Sequence, residues 1–290
     1  VTWLEDLGVE FDHVQSLGDS PNAWHVYKGI GSEGTGVTFM KSFGAAAEAA
    51  GVPMELSCSG KKIVMEDGKV SGVLAVRDNG DVVKIDCKAV IVGTGGWANS
   101  AELIRELNGS DPARVTASGL DGRDGDGLKM VKDAGGALAL GAGTMATYGP
   151  ILPQTTYGTN LQAATSLEPH LWVNQDGERF VREDMFLKNF AYAGNAVHNQ
   201  KRAFTVCNEA IIKQYTEVGG DVGVGVYVVA GQPMSDLADE FPKLLSSGNK
   251  YVYQADSIEE LAKAMGIDAA SLKKTVDEYN GMCAAGSDTE

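Results

Sequence analysis

The chain has 290 residues, of which 43% are hydrophobic, and a formal net charge of -15 from 24 Lys and Arg against 39 Asp and Glu. That length suggests one large domain or two ordinary ones, and the composition excludes a fully disordered chain. A strongly acidic surface repels phosphate backbones, which argues against nucleic acid and anionic membranes as partners. No apolar run approaches the roughly 20 residues that cross a bilayer, so we expect no transmembrane segment.

The cysteines and the chain ends narrow the class of protein further. Four cysteines stand far apart without any Cys-x-x-Cys pair, so we expect neither a metal site nor a disulfide framework. The first residues show no initiator Met and no signal peptide, and the last residues stop abruptly. We therefore expect a fragment of a longer chain, and its localisation, cytoplasmic or exported, stays open.

The first third of the sequence predicts a helix followed by short strands. Apolar residues at helical spacing predict a helix within residues 33–50 that Gly51 stops, and residues 52–57 then read as a strand. Asp67-Gly68 and Asn79-Gly80, each flanked by apolar runs, predict two successive β-hairpins.

An apolar run at residues 87–92 ends in a glycine-rich turn, which is typical of a parallel strand covered on both faces. Asn99, with Glu102 three residues later, predicts a capped helix after that turn. A second short helix is predicted over residues 127–134.

The composition shifts near residue 143 and stays rich in Thr, Gly, Pro and Tyr to about residue 170, which indicates a crossing into a second domain. Residues 171–181 then predict a strand–turn–strand unit, and residues 203–206 predict a further strand. Ser257 and Asp268 predict the N-caps of two late helices.

Two segments, 93–98 and 141–146, fit a G-x-G-x-x-A fingerprint of dinucleotide-binding turns. Pro150 follows the second segment where a helix should run, so only the first is a candidate. An ordinary strand-to-helix turn is the favoured interpretation of these residues, and an NAD(P) site with Asp111 as the acidic partner of the ribose is the alternative.

Several motifs occur together in a defined order along nearly the whole chain. They are the W-L-x-x-L-G-V-x-F pattern of residues 3–11, His25 before Gly29, Gly51-Val52, residues 67–73, residues 89–96, Gly125-Asp126-Gly127 with residues 135–137, and residues 173–183. In these motifs the chain resembles the succinate dehydrogenase/fumarate reductase flavoprotein family, including its soluble fumarate reductases and 3-ketosteroid dehydrogenases.

The resemblance implies FAD as the cofactor and a mixed α/β and α+β fold. Residues 1–146 would form a partial FAD-binding, Rossmann-like domain, and residues 147–290 an α+β capping domain for the substrate. The N-terminal FAD fingerprint and the C-terminal segment of the family are expected to be missing from this fragment. Whether the fragment holds FAD is therefore open.

The resemblance also implies the cofactor-binding residues. Thr94, Gly95 and Gly96 would lie along the FAD, where glycine permits close approach of the backbone. Asp126 would accept a hydrogen bond from a cofactor hydroxyl, with Gly125 and Gly127 leaving room. Without the resemblance, an ordinary helix cap is the favoured interpretation of Asp126.

The chain departs from the family at its expected catalytic positions. The family's proton-donating arginine falls on Leu187, and its substrate-binding histidine falls near Pro150. Lys188 or Tyr192 are the candidate replacements as proton donor, and the alternative is a solvated lysine and a packing tyrosine. A fumarate substrate is therefore not expected.

Two further groups carry open alternatives. Arg179 and Glu183 are expected to form a structural pair. Tyr148, Tyr157 and Trp172 would line an apolar substrate pocket or form the core of the capping domain.

Three functions follow from these observations. The first is an FAD-dependent oxidoreductase that reduces or desaturates an activated carbon–carbon bond of an enone or unsaturated acid, with a separate electron donor or acceptor. The second is an NAD(P)-dependent oxidoreductase that uses residues 93–98. The third is a cofactor-free, inactive fragment.

Overall fold

Three antiparallel sheets and a set of mostly short helices make up the part of the chain that this computed structural model describes, which is residues 1–16, 23–28, 36–115, 117, 121–139, 149–152, 159–224 and 228–289. The strands are Phe11–Ser16 (β1), Ala23–Tyr27 (β2), Cys58–Glu66 (β3), Lys69–Arg77 (β4), Val82–Asp86 (β5), Leu171–Asn174 (β6) and Ala203–Val206 (β7). They pair as β1-β2, β3-β4-β5 and β6-β7.

The helices flank these sheets along the chain. They are Thr2–Asp6 (α1), Val37–Ala49 (α2), Ala101–Leu103 (α3), Asp126–Asp133 (α4), Asn160–Gln162 (α5), Met185–Lys188 (α6), Phe190–His198 (α7), Glu209–Glu217 (α8), Leu237–Ser246 (α9), Ile258–Met265 (α10) and Ala269–Ala285 (α11). Within the described ranges, no helix is both long and apolar enough to cross a membrane. The predicted mixture of helices and strands is confirmed.

The chain divides into two compact units by its internal contacts. The first unit comprises Val1–Ser42 and Met145–Glu290, and the second unit comprises Phe43–Thr144. The predicted functional boundary between residues 146 and 147 stays a proposal about which residues serve FAD and which serve the substrate.

The sheet of the second unit confirms both predicted hairpins. The β3–β4 turn places Asp67 at φ 50° and Gly68 at φ 74°, the pair of positive angles that a two-residue hairpin with right-handed strand twist requires. In the β4–β5 turn, Asn79 Oδ1 accepts a hydrogen bond from Asp81 N at 3.0 Å. Gly80 there adopts φ 90°.

Two predicted strands of the second unit are wrong. Residues 52–57 form no strand, because Pro53 lacks an N–H and Ser57 turns to φ 51°. Residues 87–92 form no parallel strand either, and Ile91 is 99% exposed rather than covered. Cys87 N donates to Ser71 O of β4 at 3.1 Å, but among the described residues no strand pairs with residues 88–92, so this stretch has no ladder to join.

The predicted helix cap at Asn99 is displaced by one residue. Ser100 is the N-cap of α3, and its side chain accepts a hydrogen bond from Leu103 N at 3.3 Å. Because the cap moves, Glu102 is not at the third helical position, and the predicted capping box is wrong. The helix continues as a π-helix over Ile104–Asn108.

Helix α4 confirms the helix predicted over residues 127–134, and it packs unusually close to the chain at residues 92–94. A Cβ on Gly127 would overlap Thr94 Oγ1 and lie 2.5 Å from Val92 Cγ1. On the same helix, Met130 is buried and contacts Gly60 of β3. The missing side chain at Gly127 is therefore what lets α4 lie against this segment.

Strand β6 separates the two apolar cores of the first unit. Its alternating side chains put Trp172 into a cluster with Phe186, Tyr215 and Leu237, and Leu171 and Val173 into a cluster with Met265 and Leu272. The predicted strands at 171–174 and 203–206 are confirmed as an antiparallel pair. The predicted return strand is reduced to one bridge, between Val173 and Arg179.

The two late helices begin where their caps predict. Ser257 accepts a hydrogen bond from Glu260 N at 3.2 Å, and Asp268 accepts one from Ser271 N at 2.8 Å. The turn after β6 docks on α11, where Thr275 Oγ1 donates to Gly177 O at 2.7 Å. The turn and both helices thus form one packed body around the second cluster.

A buried group of titratable side chains lies at the start of β6. Glu168 is fully buried, and its Oε2 accepts hydrogen bonds from Tyr215 Oη at 3.1 Å and from Asp221 N at 3.1 Å. The His170 ring packs against the Tyr215 ring in a tilted arrangement, with 5.1 Å between the centroids. Burial raises the pKa of Glu168 to about 7 despite these donors, and burial lowers the pKa of His170 to about 4.

This group gives the first unit a defined dependence on pH. Because the pKa of Glu168 is raised from 4.5 to about 7, its contribution to stability is present below pH 4.5 and lost as pH rises through 7. The wild type therefore loses stability between pH 5 and pH 8, whereas Glu168→Gln lacks the titrating group. We expect the unfolding free energy of the variant minus that of the wild type to increase by about 2 kcal/mol between these two pH values. Urea unfolding at both pH values measures this difference, in which the shared contribution of His170 cancels.

The exposed Glu178→Gln is the matched control and should show no such gain. An equal gain in the control, or none in Glu168→Gln, would contradict the assignment of the effect to the buried carboxyl group.

The close packing at Gly127 gives a second prediction. We expect Gly127→Ala to lower the free energy of unfolding by about 2 kcal/mol, because its methyl group overlaps Thr94 and Val92. Gly93→Ala is the control and should change little, because a Cβ at Gly93 meets no atom of the described part of the chain within 4 Å. The double variant Gly127→Ala/Thr94→Ala should recover part of the lost unfolding free energy. If the effects of the two single substitutions simply added, the overlap with Thr94 would not be the cause.

Candidate functional site

A cavity of about 290 Å³ in the second unit brings three predicted cofactor residues together. Thr94, Gly95 and Gly127 line it, and Gly96 follows directly in the chain. The other lining residues are mostly apolar and come from the segment before Thr94, from α4 and from the chain just after α4: Val92, Leu128, Val131, Lys132, Gly136, Ala137 and Leu138. The segment after residue 91 and the helix α4 therefore form the two walls of this cavity.

The start of α4 presents the carboxylate of Asp126 to solvent. The N-cap is Gly125 at φ 77°, and no side chain caps the helix, so the ordinary-cap interpretation of Asp126 is wrong. A Cβ at Gly125 would lie 3.0 Å from Trp97 Cβ and would overlap Leu103. The glycine thus serves both the backbone angle and the close packing, and Asp126 remains exposed as the first residue of the helix.

The charge of Asp126 decides which part of a cofactor suits this helix end. The N-terminus of a helix attracts anions, but here a carboxylate already occupies that position. It repels a pyrophosphate and accepts hydrogen bonds from hydroxyl groups. The residues present therefore fit a polyhydroxyl portion of a dinucleotide, as FAD offers, rather than its phosphates.

The backbone beside the cavity is open to close approach. Among the described residues, nothing lies within 4 Å of a Cβ built on Gly93 or Gly96, and Arg123 Cγ alone comes near Gly95, at 3.8 Å. Gly95 also adopts φ 77°, which favours glycine. These glycines let a flat ligand lie against the main chain.

The NAD(P) interpretation of residues 93–98 gains no support from this geometry. A dinucleotide turn links a strand directly to the N-terminus of a helix. Here no strand precedes the turn, and the next helix starts only at Ala101. The second fingerprint, residues 141–146, lies outside the described residues.

The candidate proton donors lie on two consecutive helices of the first unit. Lys188 is exposed in the last turn of α6, and Tyr192 is 56% exposed in the first turn of α7. Asn189 joins the helices, and its side chain caps α7 through Ala191 N at 2.9 Å. Leu187, at the position of the family's arginine, instead packs against the first apolar cluster.

The predicted pair of Arg179 and Glu183 is confirmed. Arg179 Nη2 lies 2.5 Å from Glu183 Oε2, and both side chains are almost fully buried. Trp172 is fully buried in the core beside Phe186, so it does not line a substrate pocket. Tyr148 and Tyr157 lie outside the described residues.

Sequence reasoning missed the buried group around Glu168. Its members Glu168, His170 and Tyr215 come from separate elements, and no local spacing joins them. The one usable signal was a Glu and a His at the start of an apolar strand. It also missed Asp288, which contacts Arg179 across 109 positions of sequence.

Comparison with known proteins extends over the whole chain. The model of the FAD binding domain family matches residues 1–290. The vinyl phenol reductase of Lactiplantibacillus plantarum is 31% identical over 100% of this chain and 59% of its own length. A cytochrome-type fumarate reductase of Shewanella frigidimarina is 24% identical over 100% of this chain and 46% of its own.

A solved structure shows the same fold. The 3-ketosteroid-Δ4-(5α)-dehydrogenase of Rhodococcus jostii RHA1 superposes with a TM-score of 0.67 at 21% identity, covering 99% of this chain and 59% of its own. The chain spans about half the length of the curated relatives that it matches. The order of motifs, the cavity beside α4 and these matches agree, and the chain belongs to the FAD binding domain family of flavoproteins.

Proposed function

We propose that the chain is part of an FAD-dependent oxidoreductase that acts on an activated carbon–carbon double bond of a small organic substrate. The cavity that brings Thr94, Gly95 and Gly127 together is the observation that carries this proposal. Thr94 and the open backbone at Gly95 and Gly96 would hold the cofactor, and Asp126 would accept a hydrogen bond from one of its hydroxyl groups. Bound FAD supplies hydride chemistry at the substrate carbon.

The substrate that we propose is not a dicarboxylate. Leu187 packs against apolar residues, and its side chain has no ionisable group. It therefore cannot donate a proton or bind a carboxylate by charge. The vinyl phenol reductase, at 31% identity, is named for a conjugated alkene without two carboxylates. A vinylphenol or an enone therefore suits this chain better than fumarate, with an electron donor or acceptor outside it.

The protein's own part in the reaction is to deliver a proton. Reduction of a double bond adds hydride to one carbon and a proton to its neighbour. Tyr192 Oη or Lys188 Nζ would supply that proton, because both side chains are exposed and can reach a ligand. In the oxidative direction the same group would accept the proton.

Binding of FAD tests the cofactor site directly. We expect Asp126→Ala to weaken FAD binding about tenfold, because a charged hydrogen bond to a hydroxyl is lost. Quenching of flavin fluorescence during titration measures the dissociation constant. Asp133→Ala, an exposed carboxylate at the other end of α4, is the matched control and should bind as the wild type does.

Equal weakening in both variants would show that general charge rather than position matters. A wild-type chain that binds no FAD would favour the cofactor-free alternative for this stretch of the protein.

Turnover of 4-vinylphenol tests the proton donor in FAD-loaded protein. We expect replacement of the true donor, by Tyr192→Phe or Lys188→Met, to lower kcat by a factor of about 100 to 10,000. Tyr251→Phe matches the first change, since Tyr251 is also 56% exposed. Lys243→Met matches the second, since Lys243 also lies in the last turn of a helix.

A fall of less than threefold in both test variants would rule out both residues as donors. Faster turnover of fumarate than of 4-vinylphenol by the wild type would overturn the proposed substrate class.

A further inference from the structure

The side chain of Arg179 is held between two carboxylates that come from distant parts of the chain. Glu183 pairs with it on one side, through Nε at 3.0 Å and Nη2 at 2.5 Å. Asp288 pairs with it on the other, through Nη1 at 2.9 Å and Nη2 at 2.8 Å. The ring of Tyr279 lies 5.3 Å from the guanidinium carbon. All five donor hydrogens of a guanidinium suit such two-sided, planar binding.

Glu183 links Arg179 to the backbone of strand β6. Its Oε1, which accepts from Arg179, also accepts a hydrogen bond from Trp172 N at 3.0 Å. The side chains of Arg179 and Glu183 are only 6% and 3% exposed. A carboxylate buried to this degree requires its partners, because an unpaired buried charge is strongly destabilising.

Asp288 reaches this pair because the chain reverses at the end of α11. Gly286 adopts φ 62°, and its N–H donates to Cys283 O at 3.1 Å. Ser287 N then donates to Met282 O at 3.2 Å, which completes a helix-terminating turn typical of glycine. The turn directs the following residue back along the helix toward Arg179.

Asp288 also approaches the residue that leads into α6. Arg182 Nε lies 3.6 Å from Asp288 Oδ2, and Arg182 Nη2 lies 2.8 Å from Oδ2 of Asp184, the N-cap of α6. The side chain of Asp288 is 30% exposed, so it lies on the solvent side of the buried pair of Arg179 and Glu183. Through Asp288, residues 286–289 thus bind the segment between β6 and α6.

We infer that Asp288 is a positioning residue. Through it, residues 286–289 fix the segment that runs from Glu183 through α6 to the start of α7. This inference rests on the proposed function in one respect, since that segment carries Lys188 and Tyr192. The order of contacts runs from Asp288 through Arg179 to Glu183, and from Glu183 along the chain into both helices. Neither Asp288 nor Arg179 needs to touch a substrate in this role.

Hydrogen exchange tests the inference without relying on catalysis. Asp288→Asn retains the size of the side chain but removes the charge that Arg179 pairs with. We expect exchange of the backbone amides of residues 183–192 to accelerate about tenfold, the loss of one charge-assisted hydrogen bond. Asp288→Glu, which restores the carboxylate, should recover most of the protection.

Asp277→Asn is the matched control, because Asp277 lies on α11, the helix that precedes Asp288, in an exposed pair with Lys273. The control should leave residues 183–192 unchanged. Acceleration confined to residues 286–289, or no rescue by Asp288→Glu, would overturn the inference. Turnover of 4-vinylphenol is measured separately, and its absence in the wild type would count against the proposed function while leaving the exchange result intact.

Discussion

The lack of a side chain at Gly127 is the constraint on which the candidate cofactor site depends. It lets α4 lie directly against Val92 and Thr94, and the cavity is the space that remains between them. Gly125 acts one residue before the helix, where its positive φ and its contact with Trp97 set the helix start. Asp126 between them is the first helical residue, and in the proposed site its charge would favour the hydroxyl groups of a ligand over phosphates.

The first unit is organised around a different interaction, the buried pair of Arg179 and Glu183. The short strand β6 carries two apolar clusters on opposite sides, and Glu183 fixes its backbone at Trp172. The elements that follow in sequence, α6 and α7, start from this fixed point. Lys188 and Tyr192 are exposed on these helices, while packing and charge hold the buried side of the segment.

Local signals in the sequence predicted local structure well. Both hairpins and the two late helices were identified because their turns and caps are chemically specific, as at Asp67-Gly68 and Ser257. The strand predicted at residues 87–92 is wrong, because an apolar run indicates only that residues can be buried. A strand also requires a neighbouring strand to pair with. Contacts such as Arg179 with Asp288, and the group around Glu168, depend on tertiary packing and have no local signature. The cofactor residues were placed by resemblance, since glycine spacing alone did not separate FAD from NAD(P).

The exposure of Ile91 has a consequence for how the chain behaves at high concentration. An isoleucine that is 99% exposed leaves almost its whole apolar surface in water, and Leu56 in the same unit is 81% exposed. Such surface favours self-association at roughly 25 cal/mol for each Å² that becomes covered. The net charge of -15 opposes it by mutual repulsion, but added salt screens that repulsion over a Debye length of about 10 Å at 0.1 M. Raising the ionic strength is therefore expected to promote self-association of this chain.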